Sequence, residues 1–283
     1  MMPKYIDIHC HLSFKDYDRD REEIIDRLEG QGISAIGVGV DLESSRKEVA
    51  LAKKHQNLFA CVGLHPADNR SEKFDDQKFE ELVSCPKVVA VGECGLDYSR
   101  FPPSRGFGRA GKIRDSSFEK ERKRQVEFFE KQVEFAVKHG KPLMIHARDA
   151  YDDVLGVLKS FSRLAGLAQA GAERKSRPRG NVHFFTGDTA VARSYLDIGF
   201  TLSFSGVITF APYDEVVRYV PLESMHAETD APFAAPIPFR GRRNEPSYVV
   251  EVVKKIAEIK KMDMEAVRRK LLENARSLFE LAD

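Results

Sequence analysis

The chain is 283 residues long, which fits one large domain or two small ones. Hydrophobic residues make up 42% and charged residues 31%, so a sizeable core can be buried, and neither a disordered nor a collagen-like chain is indicated. Lys plus Arg number 45 against 44 for Asp plus Glu, so no global basic excess points to a nucleic-acid ligand and any attraction to phosphate must be local.

From end to end, short Val- and Ile-rich runs alternate with longer amphipathic stretches, the pattern of strand-helix units in a parallel sheet. Strands are predicted at 5–11, 33–40, 58–65, 88–93, 142–148, 181–186, 200–205 and 225–230. Helices are predicted at 21–29, 43–55, 75–83, 117–139, 151–161, 189–196 and 213–220, with two more at 248–261 and 264–280 to complete an outer ring. Gly30, Gly32, Gly140 and Gly199 fall where left-handed helix caps are expected. Eight such units with no Pro-, Gly- or Ser-rich linker predict an α/β fold, a single (β/α)8 TIM-barrel hydrolase domain over 1–283. An open doubly wound sheet would carry a glycine-rich phosphate loop after an early strand, and the sequence has none.

Two insertions, near 99–116 and 162–180, exceed ordinary loop lengths. The first leaves the carboxyl end of a strand, hence the catalytic face of a barrel, and carries Arg100, Arg105, Arg109, Lys112 and Arg114. The second joins a helix to the next strand and is expected on the opposite face, despite Arg174, Lys175, Arg177 and Arg179. Cys10, Cys61, Cys85 and Cys94 show no CxxC spacing and sit in apolar runs, so buried thiols in a reducing compartment are expected. No apolar run approaches the ~18 residues that span a bilayer, and the opening MMPKYIDIHCH lacks a signal-like apolar region, so a cytoplasmic protein is expected.

His9 and His11 lie two apart at the end of the first predicted strand, where alternation sends both imidazoles to one side with Asp7 and sends Cys10 to the other. That pair alone is a weak signal. Its position strengthens it, because Glu93 ends the fourth predicted strand, His146 the fifth and Asp230 the eighth, while His183 falls in the sixth. A closed barrel gathers all its strand ends at one mouth, so these distant residues become neighbours. Together they exceed the roughly three protein ligands of one catalytic ion. Two divalent ions are therefore favoured, Mg2+, Mn2+ or Zn2+, with Glu93 bridging, His9, His11 and Asp230 on one, and His146 and His183 on the other. A water activated by two ions about 3.5–4 Å apart suits displacement at phosphorus.

Charge and aromatic residues around that mouth bear on the substrate. Arg148 shares a strand face with His146, and Arg240, Arg242 and Arg243 follow the last strand. Tyr98, Phe101, Phe107, Phe233 and Phe239 are interleaved with arginines, either to stack unpaired bases or to pack on the barrel rim. Asp7 and Glu228 are expected to fix imidazole tautomers or metal geometry, whereas His55, His139 and His226 need no special role.

The segments that hold these residues are DIHCHL at Asp7, VGLHP at Val62, VGECGLDY at Val91, PLMIHAR at Pro142, VHFFTG at Val182, ETDAP at Glu228 and RNEPSYV at Arg243. In order, and over nearly the whole chain, they resemble the TatD family of metal-dependent deoxyribonucleases, among the amidohydrolase-like barrels. The resemblance implies a phosphodiesterase acting on DNA, single-stranded or end-bearing, with His9, His11, Glu93, His146, His183 and Asp230 as ligands. It further implies that Asp230 accepts the water's proton beside the bridging Glu93, and that His65 and Arg148 lie near the bound phosphate. Two departures stand out. Phe184 occupies a position where the family commonly has Cys, on the strand side expected to face away from His183, and the 99–114 stretch is longer than usual. The alternatives are a barrel hydrolase of amides, lactones or aminoacyl esters, and a noncatalytic scaffold that binds nucleic acid or protein. The first is disfavoured because Glu93 stands where many amidohydrolases carry a modified lysine.

Overall fold

Eight apolar runs form strands in the computed structural model, which describes residues 3–68, 72–99, 116–168 and 177–281. They are β1 (Tyr5–Cys10), β2 (Ile33–Val38), β3 (Leu58–Val62), β4 (Val88–Asp97), β5 (Leu143–Arg148), β6 (Gly180–Val182), β7 (Thr201–Phe204) and β8 (Met225–Ala227). Each pairs in parallel with the next in a single sheet of order β1-β2-β3-β4-β5-β6-β7-β8. Helices α1 (Arg21–Gln31), α2 (Leu42–Lys54), α3 (Asp76–Val83), α4 (Ser116–Lys138), α5 (Tyr151–Ala168), α6 (Thr189–Leu196) and α7 (Asp214–Tyr219) fill the crossovers, and α8 (Val249–Lys260) and α9 (Met264–Phe279) follow. Every position of β2 and β4 is buried, as expected for strands covered on both faces.

The seam between the first and last strands closes beyond the end of β8. Cys10 bridges Ala231 in parallel, Asp230 N–H donates to His9 O at 2.9 Å, and His11 N–H donates to Ala231 O at 2.8 Å. The architecture is the predicted (β/α)8 barrel. A large apolar cluster joins the strands to the surrounding helices, and a smaller one gathers Ile6, Ile8, Ile36, Val38 and Met144 against Ala275 and Phe279 of α9. Helix starts are set locally: Asp41 and Ser44 form a reciprocal capping box on α2, and the carboxylates of Asp188 and Asp263 accept from Val191 N–H and Ala266 N–H.

Several boundaries differ from the sequence reading. Strand β4 continues past Glu93 to Asp97, while β6 and β8 stop at Val182 and Ala227, leaving His183 and Asp230 just beyond their strands. Helix α5 runs on past residue 161, and Gly30 lies inside α1, with Gly32 (φ 68°) as the left-handed cap. Arg100, Phe101, Arg105, Phe107, Arg109, Lys112, Arg114, Arg174 and Lys175 lie outside the described residues. Arg179 binds Leu278 O, Gly140 O and Glu280, a structural anchor for the chain's last turn. All four cysteines are free thiols, Cys10, Cys61 and Cys94 fully buried. Among the described residues no helix is long and apolar enough to cross a membrane.

Candidate metal centre

The six predicted ligands meet at the carboxyl ends of the strands, and the backbone fixes them there. Besides the β1 seam, Glu93 N–H donates to Gly39 O at 3.0 Å and His183 N–H to Ile145 O at 2.9 Å, so each residue is tied to a neighbouring strand end. Glu93 stands at the centre. Its Oε2 lies 3.5 Å from His9 Nε2 and 3.8 Å from His11 Nε2, while Oε1 lies 2.7 Å from both His146 Nδ1 and His183 Nε2. Asp230 Oδ1 lies 3.3 Å from His11 Nε2 and 3.7 Å from His9 Nε2, and the two Nε2 atoms are 3.3 Å apart. The groups Glu93 with His9 and His11, and Glu93 with His146 and His183, each bring their donor atoms within 4.8 Å of one another.

The separations in the half formed by His9, His11, Glu93 and Asp230 fit a cation, whereas His146 and His183 lie at hydrogen-bond distance from Glu93. Four donors around an ion at about 2.0–2.2 Å stand about 3.3–3.6 Å from one another in a tetrahedron, close to the spacing among His9, His11, Glu93 and Asp230. The chemistry of the donors fits as well. His11 Nδ1 donates to Val38 O at 2.8 Å, which leaves its Nε2 lone pair directed at the cluster. The rings of His9 and His183 stack at 3.9 Å and 13°, joining the two halves.

The electrostatics of the bare side chains show how strongly the centre favours positive charge. Burial alone would raise the Glu93 carboxyl, but the charges of His183 and His65 and hydrogen bonds from His146 and His183 pull it well below the ordinary range. Burial opposes charge on His183, yet Glu93 and then Glu228 raise it well above a normal imidazole. His11, also opposed by burial, is raised to about 9 by Asp230 and Glu93, whereas burial and the neighbouring His183 push His9 down to about 4.

His65, predicted at the phosphate, lies against the second half of the cluster, its Nε2 3.4 Å from His146 Nδ1 and 3.6 Å from Glu93 Oε1. Burial pushes it down to about 4. Arg148 is exposed and lines the cavity of about 550 Å³ that opens above the ligands. Asp97 was not foreseen. Its Oδ2 accepts from His146 Nε2–H at 3.1 Å, its Oδ1 accepts from Ser99 N–H and hydroxyl, and α4 brackets its backbone through Gln125, which accepts from Asp97 N–H and donates to Asp97 O. Gln132, two helical turns on, makes the same pair of bonds to Leu64, beside His65. The VGECGLDY segment that holds Glu93 was the available signal, but the strand was predicted to end at 93.

Other expectations are decided or changed by the structure. Asp7 fixes no imidazole tautomer; it accepts from His9 N–H, Thr229 N–H and the Thr229 hydroxyl, and so holds the backbone of two ligand-bearing segments, at His9 and beside Asp230. Tyr98 is buried, with its hydroxyl on Asp153, and Phe239 stacks on Tyr248 at 3.8 Å, so both pack rather than face substrate. Arg243 is paired with Asp20 at 2.6 Å over the Tyr17 ring, which takes it out of the basic rim. Phe184 does not face away from the site. Its φ of 46° interrupts the extended backbone, its N–H donates to Glu228 Oε1 at 2.5 Å, and the residue lines the cavity.

Comparison with known proteins agrees with this geometry. Residues 6–280 match the family described as TatD related DNase. The "uncharacterized metal-dependent hydrolase YabD" of Bacillus subtilis is 36% identical over 97% of this chain and 98% of the relative. The "uncharacterized metal-dependent hydrolase TatD" of Mycobacterium tuberculosis is 35% identical over 98% of both. The crystal structure of YJJV, a TatD homolog from Escherichia coli K12, superimposes with a TM-score of 0.80 at 27% identity over 100% of both chains.

Proposed function

The chain belongs to the TatD-related DNase family of metal-dependent hydrolases, and from that premise we propose that it hydrolyses DNA phosphodiester bonds at this cluster with two divalent cations, Mg2+, Mn2+ or Zn2+. The observation that carries the reading is the division of Glu93, one carboxylate oxygen facing His9 and His11 and the other facing His146 and His183. Cations held there lower the pKa of water and offset the charge that develops on phosphoryl oxygens.

The chain's own groups do the rest. Asp230, whose backbone N–H is pinned to His9 O, accepts the proton of the attacking water on a carboxylate oxygen. Arg148 and His65 take the non-bridging phosphate oxygens, Arg148 through the paired donors of its guanidinium. The buried positions of His9, His11, Glu93 and His183 keep water away from the inner donors, so charge interactions there are weakly screened.

Purified protein is expected to cleave labelled DNA when Mg2+, Mn2+ or Zn2+ is supplied and to stop when the cation is chelated. Asp230→Asn, nearly identical in shape, is expected to lower kcat by at least about 10²-fold. Equal cleavage by that variant, or turnover confined to small amides and carboxylic esters, overturns the reading.

A further inference from the structure

The cavity above the ligands is lined by two kinds of group. Arg148, together with cations that the cluster would hold, suits an anion, whereas Phe14, Phe184, Tyr213 and Phe233 add flat apolar surface. Phe233 is 52% exposed, yet its backbone is fixed, with N–H donating to Asp230 O at 2.8 Å and C=O accepting from Asn244 Nδ2 at 2.5 Å. A large ring held in solvent on a rigid backbone leaves hydrophobic free energy unused by the fold. Phe14 lies flat on His11 at 4.6 Å and meets Phe233 edge-on at 6.3 Å.

Phe184 is the more telling residue. A φ of 46° is a left-handed backbone that bulky side chains avoid, and here it is locked by the bond to Glu228 in the residue directly after His183. Strain of this kind persists where its surroundings hold it, and such places cluster at binding sites. The two rings therefore sit on fixed backbone beside two ligand residues, His183 and Asp230.

We propose that Phe184 and Phe233, with Phe14 beside them, form a subsite that stacks an unpaired nucleobase next to the phosphodiester at the cluster; this rests on the phosphodiesterase reading above. An anion site bordered by flat aromatic surface matches a nucleotide, in which a planar base hangs beside an anionic phosphate.

Two kinds of p-nitrophenyl phosphodiester test it with a common leaving group: the thymidine 5′ and 3′ esters, and the methyl ester. The metal-loaded protein is expected to favour the better thymidine ester in kcat/KM by about 5- to 100-fold, the range of base–aromatic stacking. In Phe184→Gly and in Phe233→Ala that ratio is expected to fall toward one. Glycine accepts the φ of residue 184 without strain, so Phe184→Gly is expected to melt within about 4 °C of the parent, which separates lost preference from lost fold. A binding readout runs alongside. By fluorescence anisotropy with Ca2+ present, making the terminal nucleotide of a labelled single strand abasic is expected to weaken binding by the same factor in the parent, and hardly at all in Phe184→Gly. A ratio unchanged in both variants, or equal affinity for intact and abasic strands, overturns the subsite. If neither kind of ester is turned over, the phosphodiesterase reading fails, and the strand-binding comparison decides the subsite by itself.

Discussion

Asp97 Oδ2 accepts from His146 Nε2–H at 3.1 Å, which leaves Nδ1, 2.7 Å from Glu93 Oε1, as the nitrogen that would give up its proton to bind a cation. A carboxylate behind a ligating imidazole fixes its tautomer and raises its basicity. Asp97→Asn keeps the acceptor for Ser99 but turns the donor NH2 group toward His146 Nε2, so the ring loses the acceptor that holds Nε2 protonated. We expect the cation concentration for half-maximal activity to rise by about 10- to 100-fold, with most of kcat recovered at saturation. Activity measured across buffered free Mn2+ checks this, and an unchanged half-saturation point would remove Asp97 from metal positioning. At this scale the six ligands were legible because each falls at or near the end of an apolar run in a repeating pattern. Asp97 was hidden four residues beyond an apparent strand end, and the direction of Phe184 was hidden in a backbone angle that a Phe codon does not announce.

Strand β4 explains why one side of the site escaped the sequence. Its pairing with β5 shifts register between Val91 and Cys94, and a period-two pattern cannot register such a shift. Past the shift, Gly95 (φ 138°) lets the strand run close against β5: a Cβ there would lie 2.0 Å from His146 O. That approach carries the strand on to Asp97, four residues past the predicted end of the strand at 93. The eight strands themselves were readable because burial on both faces demands uninterrupted apolar runs. Their last residues were not, because hydrogen bonds to neighbouring strand ends, rather than hydrophobic pattern, hold His183 and Asp230 in place. Gly95→Ala combines a backbone clash with an unfavourable φ and is expected to cost about 2–5 kcal/mol. Gly30→Ala, inside α1 with nothing within 4 Å of the added methyl, is expected to add about 0.5–1 kcal/mol. Urea unfolding of the two variants beside the parent measures both. Similar effects from both would mean that the close β4–β5 approach contributes nothing special.

Through the whole barrel runs a buried polar column that links the floor to the metal centre. His226 Nε2 meets the Thr201 hydroxyl at 3.0 Å, Thr201 bonds Asn181 Oδ1 at 3.1 Å, Asn181 Nδ2–H donates to Ser203 Oγ at 2.7 Å, and the Ser203 hydroxyl donates to Glu228 Oε2 at 2.5 Å. Glu228 in turn holds Phe184 N–H beside His183. At the floor, His226 is fully buried near Phe279 of α9, and burial pushes its imidazole down to about 3. In the unfolded chain the same group titrates near ~6.5. Between these values the unfolded state binds a proton that the folded state refuses, so stability is fully present above ~6.5 and declines as pH falls toward 3, by about 1.4 kcal/mol per unit inside that window. At pH 5 the loss from this residue is about 2 kcal/mol. The ligand imidazoles also respond to acid, but chelation or saturation with a cation changes their contribution and leaves His226, outside the cluster, as it was. Urea unfolding of the parent and of His226→Gln at pH 7.5 and pH 5.0, each with chelator and with saturating Mn2+, separates the two. The variant is expected to lose about 2 kcal/mol less than the parent between those pH values under both conditions. If parent and variant decline in parallel, His226 and the polar column do not contribute to acid lability.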